Sequence, residues 1–375
     1  MTQPNPAGLE DVVAGTSEIC FIDGKEGRLL YRGFDIRDLA EHASFEEVVY
    51  LLWHGELPTR AQLDAFVQQI RSAQSLPGQV LELIERIPPA THPMAVLRTA
   101  VSYLGTLDPD QEDNSREANL RRATRLVAQF PTLVAAIQRV RQGKEPVAPR
   151  RDLPLAANFL YMLRGEEPSP LHAEVMNVAL VLHADHELNA STFAARVTAA
   201  TLSDMYSAIT SAIGALKGPL HGGANEQVMR TLLEIGSPDK AEAWVKQALA
   251  EKRRIMGFGH RVYKTEDPRA TILRRLSRKV AEAAGDTRWF EISQAVEKVV
   301  LAEKGLYPNV DFYSASTYYV MGIPFELYTP IFAVSRISGW TAHVLEQYAN
   351  NRLIRPRAEY VGPTRRQWVP LDQRS

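Results

Sequence analysis

The sequence predicts an almost wholly helical, two-domain fold with one small β-hairpin near its N-terminus, and three observations carry that reading. Helix-start and helix-stop signals recur along most of the chain, strands do not alternate with helices, and no period of about 20–50 residues marks a solenoid. The length of 375 residues exceeds what one hydrophobic core organises, about 250–300 residues, so a second domain is expected.

The elements follow in chain order. ICFI (19–22), DGKEG (23–27) and RLLY (28–31) give two β-prone runs around an Asp-Gly turn, the pattern of a hairpin. Ser44 with Glu47 forms a capping box ahead of VVYLLW, and His54, Gly55 and Pro58 end that helix. Thr59 with Gln62 opens the next, whose Leu63, Phe66 and Ile70 recur at helical spacing. Periodic apolar residues then predict helices over 93–104, 117–141, 152–163, 171–184, 191–216, 225–235, 239–254, 269–284, 289–304, 314–321 and 326–349. The least polar window, Val197–Leu216, carries Asp204 with several Ser and Thr. It is too polar for a membrane span of about 20 residues and reads as helix buried on most sides. Glycines gather at Gly218, Gly222 and Gly223, and again at Gly257 and Gly259, where the scaffold breaks and backbone can approach a ligand.

Composition bounds the partners. Hydrophobic residues make 45% and charged ones 23%, which is globular. The 43 basic and 44 acidic side chains leave a formal charge of -1, so no global field attracts nucleic acid or anionic membrane. An anionic partner must be held locally. Of the basic residues 33 are Arg and 10 are Lys; coding bias is the plainer account, although Arg is also the residue that forks onto carboxylates. A single cysteine, Cys20, makes no internal disulfide, and MTQPNPAGLEDVVAG has no basic, apolar leader, so a cytoplasmic protein is expected.

Four of the nine histidines fall between 183 and 260. His183 and His186, in HADHELN, share a face if helical; they are open to a structural role, to donation toward a carboxylate, or to a metal. Neither HExxH nor Cys/His spacing supports the metal, and none is expected. His221 precedes a helix start after paired glycines, where the exposed N–H groups lower an imidazole pKa; a neutral His there could donate to an enolate-like oxygen, or be an idle loop residue. GFGHRVYKTEDPR (257–269) presents His260 on a Gly-flanked basic loop; without a third glycine or a preceding strand it is no dinucleotide fingerprint. Such a loop suits a phosphorylated carrier, or is a solvated helix end. Asp311 sits among Tyr307, Phe312 and Tyr313, either as an ordinary N-cap or as a base strengthened by loss of water. Arg336 and Arg355 add cations near the C-terminus.

Taken together, HADHELNAST, GPLHGGANE, GFGHRVYKTEDPR and NVDFYS resemble the active-site segments of the citrate synthase family, in the family's order, and the start from Gly8 is similar to its prokaryotic members. The resemblance covers nearly the whole chain. It implies an all-α homodimer, with a large domain from 1–221 and 328–375 and a small domain at 222–327. It implies condensation of acetyl-CoA with oxaloacetate and hydrolysis of citryl-CoA, with no metal or redox cofactor. By the same resemblance Asp311 is the base, His221 the enolate donor and His260 the donor to the oxaloacetate carbonyl. His186, Arg269 and Arg336 hold oxaloacetate, the partner subunit supplies Arg355, and Arg253, Arg254, Ile255, Met256 and Gly257 meet coenzyme A, with His183 and Asn189 in support. Few residues precede the family start, so the NADH control of larger members is expected to be absent. A 2-methylcitrate synthase using propionyl-CoA is the nearest alternative, since the acyl pocket is not readable from one sequence; a non-catalytic binding paralogue is a more distant one.

Overall fold

The computed structural model describes residues 8, 9 and 12–374; the N-terminal stretch read for a leader lies mostly outside the described residues. Three antiparallel strands open the chain: β1 (Cys20–Asp23), β2 (Arg28–Tyr31) and β3 (Phe34–Asp35). Asp23 Oδ1 accepts the N–H groups of Lys25 and Glu26, each at 2.9 Å, which closes the turn where the Asp-Gly signal lies. The third strand has only two residues, too few to leave a pattern.

Sixteen α-helices follow among the described residues. The first eight are α1 (Ile36–His42), α2 (Phe45–His54), α3 (Arg60–Ala73), α4 (Gly78–Arg86), α5 (Pro93–Thr106), α6 (Arg116–Arg141), α7 (Leu155–Arg164) and α8 (Pro170–His183). The rest are α9 (Ala190–Ala199), α10 (Met205–Leu216), α11 (Ala224–Ile235), α12 (Ala241–Ala250), α13 (Pro268–Ala284), α14 (Arg288–Lys304), α15 (Val310–Val320) and α16 (Tyr328–Ala349). Both capping boxes form, Ser44 with Glu47 and Thr59 with Gln62, and Gly55 ends α2 in the left-handed conformation. Each box contributes about 1 kcal/mol to its helix.

The differences from the sequence expectation have local causes. The expected helix over 191–216 is two helices: Leu202 is left-handed at φ 64 and the Asp204 side chain caps α10 by accepting the Ser207 N–H at 3.0 Å. The acidic residue inside the apolar window is thus a helix start. The helix expected over 239–254 stops at Ala250, and left-handed Lys252 (φ 57) releases the chain into a loop that runs to Asp267. The last-but-one helix begins at Val310, earlier than 314, because Asn309 caps it. Helices α1 and α4 are short, with only Ile36, Leu39 and Ala40 buried in one and Val80 and Ile84 in the other, so their apolar pattern is too brief to detect.

Helix α16 passes through the centre and packs on α2, α6, α8, α9 and α10. Every residue from Tyr328 to Leu345 is buried, so the helix has no solvent face and encloses Arg336 and His343 together with its apolar side chains. Its few polar atoms are satisfied within the core; Thr341 Oγ1, for example, donates to the Ile337 carbonyl at 2.7 Å. One face of this helix carries Arg336, Gly339, Trp340 and His343 and lies against the segment after α8. A Cβ on Gly339 would come within 2.4 Å of both the Ala184 carbonyl and Asp185 Oδ1, so glycine alone permits the approach. Helices α11, α13, α14 and α15 pack chiefly on one another.

Candidate active site

The face of α16 fixes the segment 183–186 by direct bonds. Arg336 Nε donates to the His183 carbonyl at 2.7 Å, and the Gly339 N–H reaches the Ala184 carbonyl at 3.1 Å. Asp185 Oδ2 lies 3.2 Å from His343 Nε2, while His343 Nδ1 lies 3.1 Å from Arg196 Nη1. Arginine only donates, so His343 accepts at Nδ1 and gives its Nε2–H to Asp185. Burial alone would raise the Asp185 carboxyl, but His343 and Arg336 hold it below its ordinary value. Arg336 is itself fully buried; burial lowers it to about 10 against the pull of Asp185, so it keeps its charge. Among the described residues no carboxylate comes within ion-pairing distance of Arg336.

Phe332, one turn before Arg336, gathers the neighbours. The Arg336 guanidinium lies 4.7 Å from its ring centre, His183 meets it edge-on at 4.9 Å and His221 at 6.3 Å. His183 is buried, held to about 3, and donates from Nδ1 to the Ala179 carbonyl at 2.7 Å, so it supports the segment as a neutral ring. His221 sits in the turn before α11. Its Nε2 accepts the Ser191 N–H at 3.3 Å and lies 2.8 Å from Ser191 Oγ, which leaves the proton of the neutral ring on Nδ1. Burial, then Arg336, holds it at about 4. Ser191 belongs to α9, which Asn189 caps through a bond from the Thr192 N–H at 3.1 Å.

The opposite wall is the long loop before α13. His260 Nδ1 accepts the N–H groups of Val262 and Tyr263 at 3.0 and 3.3 Å, so its proton lies on Nε2. Burial, then Arg269, holds it at about 4. The ring of His186 packs edge-on to His260 at 5.0 Å, and its Nε2 lies 3.2 Å from the Tyr263 hydroxyl. Burial and the nearby Arg269 push His186 well below its ordinary value. Arg269 is buried and already paired: Nε and Nη2 reach the two oxygens of Asp267 at 3.0 and 2.8 Å. Asp267 caps α13 ahead of Pro268, and an Asp-Pro helix start is the sequence signal that marks it.

Asp311 occupies the first turn of α15, with Asn309 as the cap. Two influences compete on its carboxyl, and burial wins: it rises to about 7, only partly offset by Arg269 and Arg336. Its Oδ1 is buried with no hydrogen-bond partner. A cavity of about 100 Å³ brings Asp311 together with His221, Arg254, Met256, Gly257 and Phe258. Gly257 is left-handed (φ 84), and a Cβ there would strike Val228 Cγ2 at 2.7 Å. Two of the residues expected at this place do not line the cavity. Arg253 pairs with Glu251 at 2.8 Å and lies over Trp244, and Ile255 is turned into the core. Arg355 is exposed on the segment after α16 and lines no part of this cavity. The sequence reading missed Asp267, Tyr263, Ser191 and the Asp185–His343–Arg196 chain. Of these only Asp267 carries a local signal, because the others act through contacts distant in sequence.

A buried carboxyl poised near neutrality beside neutral imidazoles is what proton transfer from a carbon acid requires. Comparison with known proteins places the frame. The family model for the citrate synthase C-terminal domain matches residues 8–357. Citrate synthase 2 of Bacillus subtilis (strain 168) is 55% identical over 98% of this chain and 99% of its own. The citrate/2-methylcitrate synthase of the same organism is 46% identical over 95% and 96%. Among solved structures, citrate synthase of Thermoplasma acidophilum in a ternary complex with carboxymethyl coenzyme A and oxaloacetate superimposes at a TM-score of 0.93, with 36% identity over 98% of both chains. The chain belongs to the citrate synthase family, and its fold is the family's.

Proposed function

We propose that this chain condenses acetyl-CoA with oxaloacetate and hydrolyses citryl-CoA to citrate and coenzyme A. The observation that carries it is the cavity joining a carboxyl at about 7, Asp311, to a neutral imidazole, His221, whose free proton is on Nδ1. Ionised Asp311 removes a proton from the acetyl methyl group while His221 Nδ1–H donates to the thioester oxygen, which becomes the enolate oxygen. The enol carbon then attacks the ketone of oxaloacetate, and His260, protonated at Nε2, donates to the oxygen that becomes the citrate hydroxyl. Water cleaves the thioester and coenzyme A leaves as the thiol. Every step is acid–base and nucleophilic, so the reaction needs no metal or redox group.

Arg336, His186 and the free edge of Arg269 are assigned to the carboxylates of oxaloacetate. Arg254, Met256 and Gly257, at the mouth with Leu220, are assigned to coenzyme A. The helices of residues 222–327, which pack mainly on one another, act as a small domain that closes on 1–221 and 328–375. The working unit is a homodimer. The segment that bears Arg355 leaves Leu353, Tyr360, Val361 and Trp368 exposed, Val361 at 91% and Trp368 at 79%, and a second subunit covers such side chains and receives the arginine. No helix among the described residues is long and apolar enough to cross a membrane, and the lone Cys20 is buried; the cytoplasm is the proposed location.

The test is release of coenzyme A with oxaloacetate and either acetyl-CoA or propionyl-CoA. Release with acetyl-CoA as the better substrate is expected. A strong preference for propionyl-CoA would convert the reading to 2-methylcitrate synthase, and release with neither would end both.

A further inference from the structure

We propose that the hairpin turn Asp23–Gly27 is a latch that holds the His260 loop in its working geometry, with Gly24 as the positioning residue. The turn is far from the loop in sequence and approaches it at four residues, Val262, Lys264, Thr265 and Glu266. A Cβ on Gly24 would lie 2.1 Å from the Val262 carbonyl oxygen and 3.2 Å from Val262 Cγ1. The Gly24 carbonyl accepts the Lys264 N–H at 2.8 Å. A Cβ on Gly27, which is left-handed at φ +62, would meet Thr265 Cγ2 at 2.9 Å and the Glu266 carbonyl at 3.0 Å. The turn is itself stiff: Asp23 ties Lys25 and Glu26, and Arg37 Nη2 donates to the Gly27 carbonyl at 3.2 Å.

The stretch of backbone pressed by this turn is the one that sets the His260 ring. Val262 and Tyr263 supply the two N–H groups that hold Nδ1 as acceptor and so place the proton on Nε2. Upstream, the loop is tied through the Gly259 N–H to the Tyr307 carbonyl at 2.9 Å and through Asn309 Nδ2 to the Gly259 carbonyl at 3.0 Å. The loop has no helix from Glu251 to Asp267; Ile255, Phe258 and Tyr263 are buried and anchor it, but Val262, between His260 and Tyr263, is exposed, so apolar burial does not hold the backbone at that residue. The turn supplies the missing constraint from the N-terminal part of the chain. Two glycines there are explained by close approach rather than by turn conformation alone.

The inference rests on the role proposed for His260. Gly24→Ala drives a methyl group against the Val262 carbonyl and displaces the loop; a misplacement of about 1 Å costs on the order of a hundredfold in rate. Turnover of the full-length enzyme should fall by that order with a smaller change in KM for oxaloacetate. Trypsin should cut the purified protein faster after Arg261 and Lys264. Gly33→Ala is the control, because Gly33 is left-handed at φ +89 with nothing within 4 Å of its added Cβ. It strains the adjoining β2–β3 turn of the same sheet without touching the loop and should change neither readout beyond about twofold. If Gly24→Ala does not fold, Asp23→Ala loosens the turn without adding bulk and should move both readouts in the same direction. Unchanged trypsin cleavage in a folded Gly24→Ala protein, or an equal loss of turnover in Gly33→Ala, overturns the latch. Full activity of Gly24→Ala alongside loss of activity in His260→Asn overturns the latch alone. Full activity of His260→Asn overturns the role of His260 first.

Discussion

Replacing Asp311 by Asn should make the protein more stable at neutral pH while removing its turnover. Burial raises the Asp311 carboxyl from its ordinary 3.8 to about 7. Between those two values the folded chain keeps a proton that the unfolded chain has released, so stability falls as pH climbs from about 4 to about 7. A gap of about three units at about 1.4 kcal/mol each amounts to roughly 4 kcal/mol near pH 7. Asparagine keeps the shape and does not ionise, and Oδ1 has no hydrogen bond to lose. The gain at pH 8 should approach that figure and shrink below about 2 kcal/mol at pH 5, where the native carboxyl is largely protonated in the fold. For 375 residues the larger value corresponds to a rise on the order of 5 °C in the unfolding midpoint. Circular dichroism on both proteins from pH 5 to 8 measures the difference, and coenzyme A release measures a turnover loss of about 10²–10⁴. A variant that is less stable at pH 8, or more stable by an amount independent of pH, would refute the assignment of a buried, strained base at this position.

The remaining predictions use the same geometry. The acid limb of kcat/KM for acetyl-CoA should fall at about pH 7, set by the ionisation of Asp311, because His221 and His260 are already neutral above about 4; an acid limb confined below pH 5 would contradict this. Gly339→Ala forces a methyl group into the Ala184 carbonyl and Asp185, and should cost about 1–3 kcal/mol in denaturant unfolding while raising KM for oxaloacetate more than KM for acetyl-CoA. Arg355→Ala and Asp311→Asn should each be nearly inactive alone. If the arginine crosses the dimer, unfolding and refolding the two together should restore about a quarter of the parent activity, since half the dimers are hybrids with one complete site.

How much of this was legible depended on the range of the contact that made it. Capping chemistry is local, so Ser44 with Glu47, Thr59 with Gln62 and the Asp-Gly hairpin appear where the sequence put them. Asp204 shows the limit of the same reasoning: an Asp within an apolar run reads equally as a solvated break or a tolerated polar residue, and only the left-handed Leu202 decides. For the site, the motif segments marked His183, His186, His221, His260 and Asp311, and the structure groups them around Phe332, Tyr263 and one cavity. Which nitrogen of each imidazole holds the proton was not legible, since it depends on Ser191 for His221 and on the backbone of Val262 and Tyr263 for His260. Nor was the sense of the Asp311 shift, because the helix start and burial push in opposite directions and only packing determines which is larger.

The buried charges bear on how the proposed site would take a dianion. Arg269 is bonded to Asp267, and Asp185, held by His343, pulls on Arg336 from beyond ion-pairing distance. Near pH 7 Asp311 adds about half a negative charge, so the two interior arginines bring no surplus positive charge with them. They offer direction instead: the edges not engaged by Asp267 or the His183 carbonyl present N–H groups to a ligand's oxygens. Moving two carboxylates out of water still costs several kcal/mol each unless charge compensates them. Within the proposed dimer the partner's Arg355 would be that compensation. Arg355 is exposed on a segment with uncovered apolar side chains, as the proposed exchange between subunits requires, whereas Arg269 and Arg336 are already engaged. On the proposed division the interior pair would fix the orientation of the ketone and the arriving cation would supply most of the affinity, so that assembly as well as folding would complete the site.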